Sequence, residues 1–88
     1  GLESDIEPGT WSIYPNPIKD FATLSFENPG YKSHTLLLVN TLGRTVKRVD
    51  GIISKQVIIE KGDLPVGLYF FQLSSGSEKI AFGRLVIK

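Results

Sequence analysis

The sequence predicts an all-β domain, an antiparallel sandwich of about seven short strands. Three observations carry this. Apolar and polar residues alternate with period two around residues 22–27 and 68–73, the repeat of a strand buried on one face. Glycine, proline, asparagine and aspartate recur at short, regular intervals between such stretches, as turns do. No segment sustains the i, i+3, i+4 repeat of an amphipathic helix.

Taken in order, residues 1–10 read as a linker from an upstream cargo domain. Glu3, Asp5 and Glu7 stand there beside Pro8, Gly1 and Gly9 without periodicity. Residues 11–88 form the domain. Its first strand starts at Trp11-Ser12-Ile13 and is turned aside by Tyr14-Pro15-Asn16-Pro17, because neither proline donates a ladder hydrogen bond and each restricts its predecessor. Ala22, Leu24 and Phe26 then alternate with Thr23, Ser25 and Glu27, and Asn28-Pro29-Gly30 breaks the strand.

Residues 35–39 are a short apolar run, expected to be a strand covered on both faces. Asn40-Thr41-Leu42-Gly43 predicts a tight hairpin with a bulge and Gly43 at positive φ. A more polar strand returns over residues 44–49, ending at a turn at Asp50-Gly51, and the branched residues Val57, Ile58 and Ile59 mark the next strand, residues 56–60. Leu64-Pro65-Val66-Gly67 reads as a type I turn, in which Gly67 need not take positive φ. Residues 68–73 form an aromatic strand, Ser74-Ser75-Gly76-Ser77 a hairpin loop, and residues 79–87 the last strand, which Gly83 weakens. The expected core is Leu24, Phe26, Leu37, Val39, Val57, Ile59, Tyr69, Phe71 and Leu73, with Leu36, Leu38 and Ile58 as the other register of the apolar runs.

Eighty-eight residues suffice for one core, and a domain of this size buries roughly 60–70% of its unfolded surface. A hydrophobic fraction of 41% and a charged fraction of 22% are those of an ordinary globular domain. A net charge of +1 argues against nucleic acid, whose binding rests on clustered lysine and arginine. Arg44, Lys47 and Arg48 read as a solvated edge strand, where charge discourages edge-to-edge pairing. Without cysteine there is no disulfide, thiolate nucleophile or soft metal site. The apolar run at residues 36–39 is far too short to cross a bilayer. The sequence contains no methionine and reads as a piece of a longer protein.

Little here suggests catalysis. His34 is the one histidine, expected at a surface or edge, and no serine has a nucleophile signature around it. Glu27, Asp50, Glu60 and Asp63 fall at strand ends and turns without the spacing of a calcium loop. Trp11, Tyr14, Tyr31 and Tyr69 are either core or a sugar-stacking platform. The reading is therefore a non-enzyme without a cofactor or metal.

Four segments together resemble a known family. They are Tyr14-Pro15-Asn16-Pro17, Asn40-Thr41-Leu42-Gly43-Arg44-Thr45-Val46, Leu64-Pro65-Val66-Gly67-Leu68-Tyr69 and Arg84-Leu85-Val86-Ile87-Lys88. Their order and spacing, from about Trp11 to Lys88, are similar to those of type A C-terminal sorting domains of the type IX secretion system of Bacteroidetes. The resemblance implies a seven-stranded immunoglobulin-like sandwich that directs a folded periplasmic cargo through the outer-membrane translocon. It also implies a shuttle protein, and a cell-surface sortase that usually removes the domain and often attaches the cargo to lipopolysaccharide. Carried over by position, the recognition residues are Tyr14, Pro15, Asn16, Pro17, Gly43, Gly67, Tyr69, Leu85, Val86, Ile87 and Lys88. Phe82-Gly83-Arg84 departs from the lysines frequent before the family's ending.

An extended last strand with unsatisfied backbone groups could add to a partner's sheet edge, which would explain an address at that position. The rival reading is an immunoglobulin-like spacer or carbohydrate-binding module on a secreted enzyme. Aromatics in an exposed coplanar row would favour the rival, and aromatics buried between sheets would favour sorting.

Overall fold

A computed structural model of the chain describes residues 10–88; the expected linker lies almost wholly outside them. Seven strands follow one another: β1 (Trp11–Tyr14), β2 (Phe21–Phe26), β3 (His34–Val39), β4 (Thr45–Ile52), β5 (Gln56–Glu60), β6 (Gly67–Ser75) and β7 (Glu78–Ile87). They form a three-stranded sheet, β1-β2-β5, and a four-stranded sheet, β4-β3-β6-β7, with every named pair of strands antiparallel. The chain crosses between sheets after β2, β4 and β5, as in immunoglobulin-like sandwiches. The Tyr69 hydroxyl donates to the Pro65 carbonyl at 2.6 Å, tying the start of β6 to the corner before it.

Where alternation is clear, the core is as expected. Ala22, Leu24 and Phe26 of β2, and Tyr69, Phe71 and Leu73 of β6, all point into the core, as does Ile59 of β5. Val57, opposite Leu24, is half-buried against the core on an edge strand. The register expected for β3 is corrected: Leu36 and Leu38 are buried, while Leu37 and Val39 lie half-buried on the outer face. The cause is pairing, since Leu36 lies opposite Leu73 and Leu38 opposite Phe71, and directly opposed residues share a face. A uniformly apolar run carries no parity of its own, so its neighbour decides.

Several local expectations also change. The strand expected to end at residue 49 continues through Ile52, and Asp50-Gly51 is a bulge opposite β3 rather than a turn. The turn before β6 closes earlier, with Leu64 N donating to Lys61 O at 2.9 Å, and the chain bends at Val66. The hairpin between β6 and β7 has only Gly76 and Ser77 between its paired ends, Ser75 and Glu78. The β3–β4 hairpin is as the sequence predicts: Gly43 N donates to Asn40 O at 3.0 Å, with Gly43 at φ 84°. Gly67, expected to tolerate ordinary φ, sits at φ 151°, where a side chain is strained.

Gly83 has a different role from the one its sequence suggested. A Cβ there would lie 2.7 and 2.9 Å from two atoms of the Trp11 ring and 2.8 Å from Phe71. Trp11 lies edge-on to Phe71, with ring centroids 4.9 Å apart and planes at 85°. The missing side chain on β7 is the space in which β1 packs its indole.

Candidate functional site

The four signature segments are far apart in sequence, and the strand pairing collects them at one end of the sandwich. Gly67 and Tyr69 open β6 and lie directly opposite Ile87 and Leu85 of β7. Val39, just before the Gly43 hairpin, pairs with Phe70, which in turn pairs with Arg84. Tyr14 closes β1 opposite Thr23, near the start of β2. Tyr14, Pro15, Asn16 and Pro17 are exposed, as are Gly43, Val86 and Lys88, whereas Tyr69, Leu85 and Ile87 are buried. Gly67 is half-buried.

The Tyr14–Pro17 corner moves the chain between sheets. Both X–Pro bonds, Tyr14–Pro15 and Asn16–Pro17, are cis. Beyond the corner the chain leaves β2's sheet and reaches the outer edge of β7, where Ile18 forms a parallel bridge to Ile87. Ile18 N donates to Val86 O at 2.7 Å, and Lys88 N donates to Ile18 O at 2.8 Å. The Asn16 side chain completes the edge: its Oδ1 accepts from Val86 N at 3.1 Å. Lys61 Nζ donates to Lys88 O at 3.2 Å. Ile18 itself is fully buried, a core residue that periodicity could not reveal because it stands alone between Pro17 and Lys19.

These bonds correct the expectation of a last strand with free backbone groups. At Val86 and Lys88 the outer edge of β7 is occupied by the protein's own corner. In an antiparallel pair successive residues direct their backbone groups to opposite edges. Val86 faces Ile18, so Arg84 and Phe82 face the same outer side, and among the described residues that stretch of β7 has no neighbouring strand.

Basic groups outnumber acids at this pole. The segments that meet there carry Lys19, Arg44, Lys61, Arg84 and Lys88 against Asp20, Glu60 and Asp63. Lys47 on the edge strand β4 donates to Glu60 O at 2.9 Å. Along β4, Arg48 Nε lies 3.1 Å from both oxygens of Asp50, and Thr35 Oγ1 donates to Asp50 at 3.0 Å. The Arg48 hydrogen bond, then that of Thr35, holds the Asp50 carboxyl below its ordinary pKa; slight desolvation opposes this and the Arg48 charge adds to it.

The opposite pole holds the one histidine, and there its role is structural. His34, expected at the surface, is buried: its Nδ1–H donates to Lys32 O at 2.8 Å and its ring lies 5.0 Å from that of Phe26. Asn28 is buried beside it, with Nδ2 3.0–3.2 Å from the carbonyls of Lys32, Ile53 and Ser54, and Oδ1 accepting from Lys32 N at 2.9 Å. Among the described residues no three His, Asp or Glu side chains group as metal ligands. The four aromatics considered as a sugar platform are dispersed. Tyr69 is buried, Trp11 packs between the sheets, and Tyr14 and Tyr31 are exposed at opposite poles. A different pair, Phe70 and Phe82, stacks on the outer face of the four-stranded sheet, with centroids 6.2 Å apart.

Fold and pole together define a small immunoglobulin-like sandwich whose signature residues gather at one end. The model of the secretion system C-terminal sorting domain matches residues 12–88, and the chain belongs to that family, the sorting signals of type IX secretion. It is a family of secretion signals rather than of enzymes. Membership implies attachment to an upstream cargo, engagement with the type IX machinery, and export to the cell surface or beyond. A comparison with curated proteins found no match.

Proposed function

We propose that this domain is the address by which a cargo, folded in the periplasm, is recognised and passed through the outer-membrane type IX translocon by way of a shuttle protein. A sortase at the cell surface then removes it. The recognition surface is the pole carrying the corner residues Tyr14, Pro15, Asn16 and Pro17, with Gly43, Gly67 and Tyr69 shaping it and Leu85–Lys88 closing it. The observation that carries this reading is the convergence of four dispersed segments on one end of the sandwich. A spacer has no need of such convergence, since its two ends only have to connect neighbours.

The test is fusion of the chain to a periplasmic reporter in a type IX-competent host. Removing residues 85–88 is expected to abolish surface delivery and leave folded reporter in the periplasm. That deletion also removes the buried side chains of Leu85 and Ile87, each worth about 1.5–3 kcal/mol. Lys88→Ala and Arg84→Ala are therefore the companion variants, expected to slow export without changing thermal stability. Normal delivery of the truncated fusion would sink the sorting reading and favour the spacer.

A further inference from the structure

Resting on that sorting reading, we infer that Asn16 is a positioning residue: its side chain holds the end of β7 in the form that the export machinery reads. Three hydrogen bonds fasten residues 86–88 from the corner side. Two come from the Ile18 backbone, and any residue at position 18 other than proline would supply both. The third, from Val86 N to Asn16 Oδ1, depends on the side chain at position 16. It spans 70 residues of sequence, so nothing local to β7 replaces it.

The placement of this bond gives it its role. The last residues of a domain fray unless they are tied down. Val86 is the first residue whose backbone meets the corner, and its side chain is exposed at the pole together with that of Lys88. Leu85 and Ile87, on either side of it, are buried. The β6–β7 register sets which side chains face inward, and the bond at Val86 N–H holds the outer edge of the strand in that arrangement against fraying. It also ties Val86 to the exposed corner, where the two prolines hold Asn16 between two fixed φ angles. A receptor that reads the docked strand meets the competent form in most molecules, and its apparent affinity scales with that fraction.

The experiment compares Asn16→Leu, of similar size without an acceptor, Asn16→Ala, and Asn16→Asp, which keeps an acceptor oxygen. Each is made in the complete cargo protein. Amide exchange at Val86 and Lys88, melting temperature and the rate of surface delivery are measured, with the 85–88 deletion alongside. Asn16→Leu and Asn16→Ala are expected to raise Val86 exchange roughly fivefold, the factor corresponding to one hydrogen bond's net contribution. They should also slow delivery, by no more than that factor because the docked form still predominates, while β3 and β6 remain protected. Asn16→Asp should restore both. Unchanged Val86 exchange, or faster exchange with unchanged or accelerated delivery, would overturn the role of Asn16 while loss of delivery in the deletion still upheld sorting. Normal delivery by the deletion would remove the sorting reading, and this inference with it.

Discussion

Gly83→Ala is the most direct test of how β1 packs against the four-stranded sheet. The added methyl would stand 2.7–2.9 Å from three ring atoms of Trp11 and Phe71, about 1 Å inside the preferred carbon–carbon separation of about 3.5–4.0 Å. The rings cannot simply turn away, because they meet edge-on at 4.9 Å and Phe71 is fully buried. Overpacking of this kind costs about 1–3 kcal/mol. Replacing a strand glycine by alanine returns about 0.5–1 kcal/mol of backbone entropy. From the centres of these ranges the net expectation is a loss of about 1.25 kcal/mol, or roughly 5–10 °C in melting temperature for a domain of this size. Urea denaturation followed by circular dichroism measures it. In a Trp11→Leu background the same substitution should cost less than half as much, since two of the three close contacts vanish. An unchanged midpoint for Gly83→Ala, or an undiminished cost without the indole, would refute the packing argument.

Gly43→Ala should destabilise by about 1 kcal/mol through backbone strain alone, because nothing lies within 4 Å of the new methyl but φ is 84°; denaturation at the wild-type midpoint would contradict this. Asn28→Ala should cost about 1–3 kcal/mol, leaving the part-buried carbonyls of Ile53 and Ser54 without their donor, as an equilibrium unfolding curve would register. The Asp50 side chain should titrate below the ordinary aspartate value by NMR, and Arg48→Ala should raise that midpoint. Because its folded pKa is depressed, the Asp50 contribution is present above the unfolded pKa and is lost as pH falls through the folded one. A titration unmoved by Arg48→Ala would show the contact to be absent in solution.

Much of the fold was legible because β2 and β6 alternate and their turns use glycine, asparagine and proline where the backbone bends. The inward side of β3 was not legible, since Leu36, Leu37, Leu38 and Val39 offer apolar residues in both registers and only pairing with Leu73 and Phe71 chooses. In the sequence His34 and Asn28 look like surface and turn residues, because polar residues usually are. Their burial depends on carbonyls supplied by residues 32, 53 and 54. The signature segments could be found by order and spacing. That they meet at one pole could not, because the contact that joins the first to the last, Asn16 to Val86, links opposite ends of the chain, as does the packing of Trp11 against Gly83. Gly83 looked like a flaw in a strand for the same reason.

The bridge between Ile18 and residues 86–88 has a consequence for timing. It closes a loop that spans most of the domain, and long-range closure of this kind makes folding slow. A ribosome releases residue 18 well before residue 87, so the corner waits with its partners unmade while the rest of the domain is synthesised. A chain broken off before Leu85 leaves Ile18 uncovered and the opening residues of β6 without their cross-strand neighbours. The domain thus reports on its own completeness: the surface at that pole forms only from a chain translated through β7.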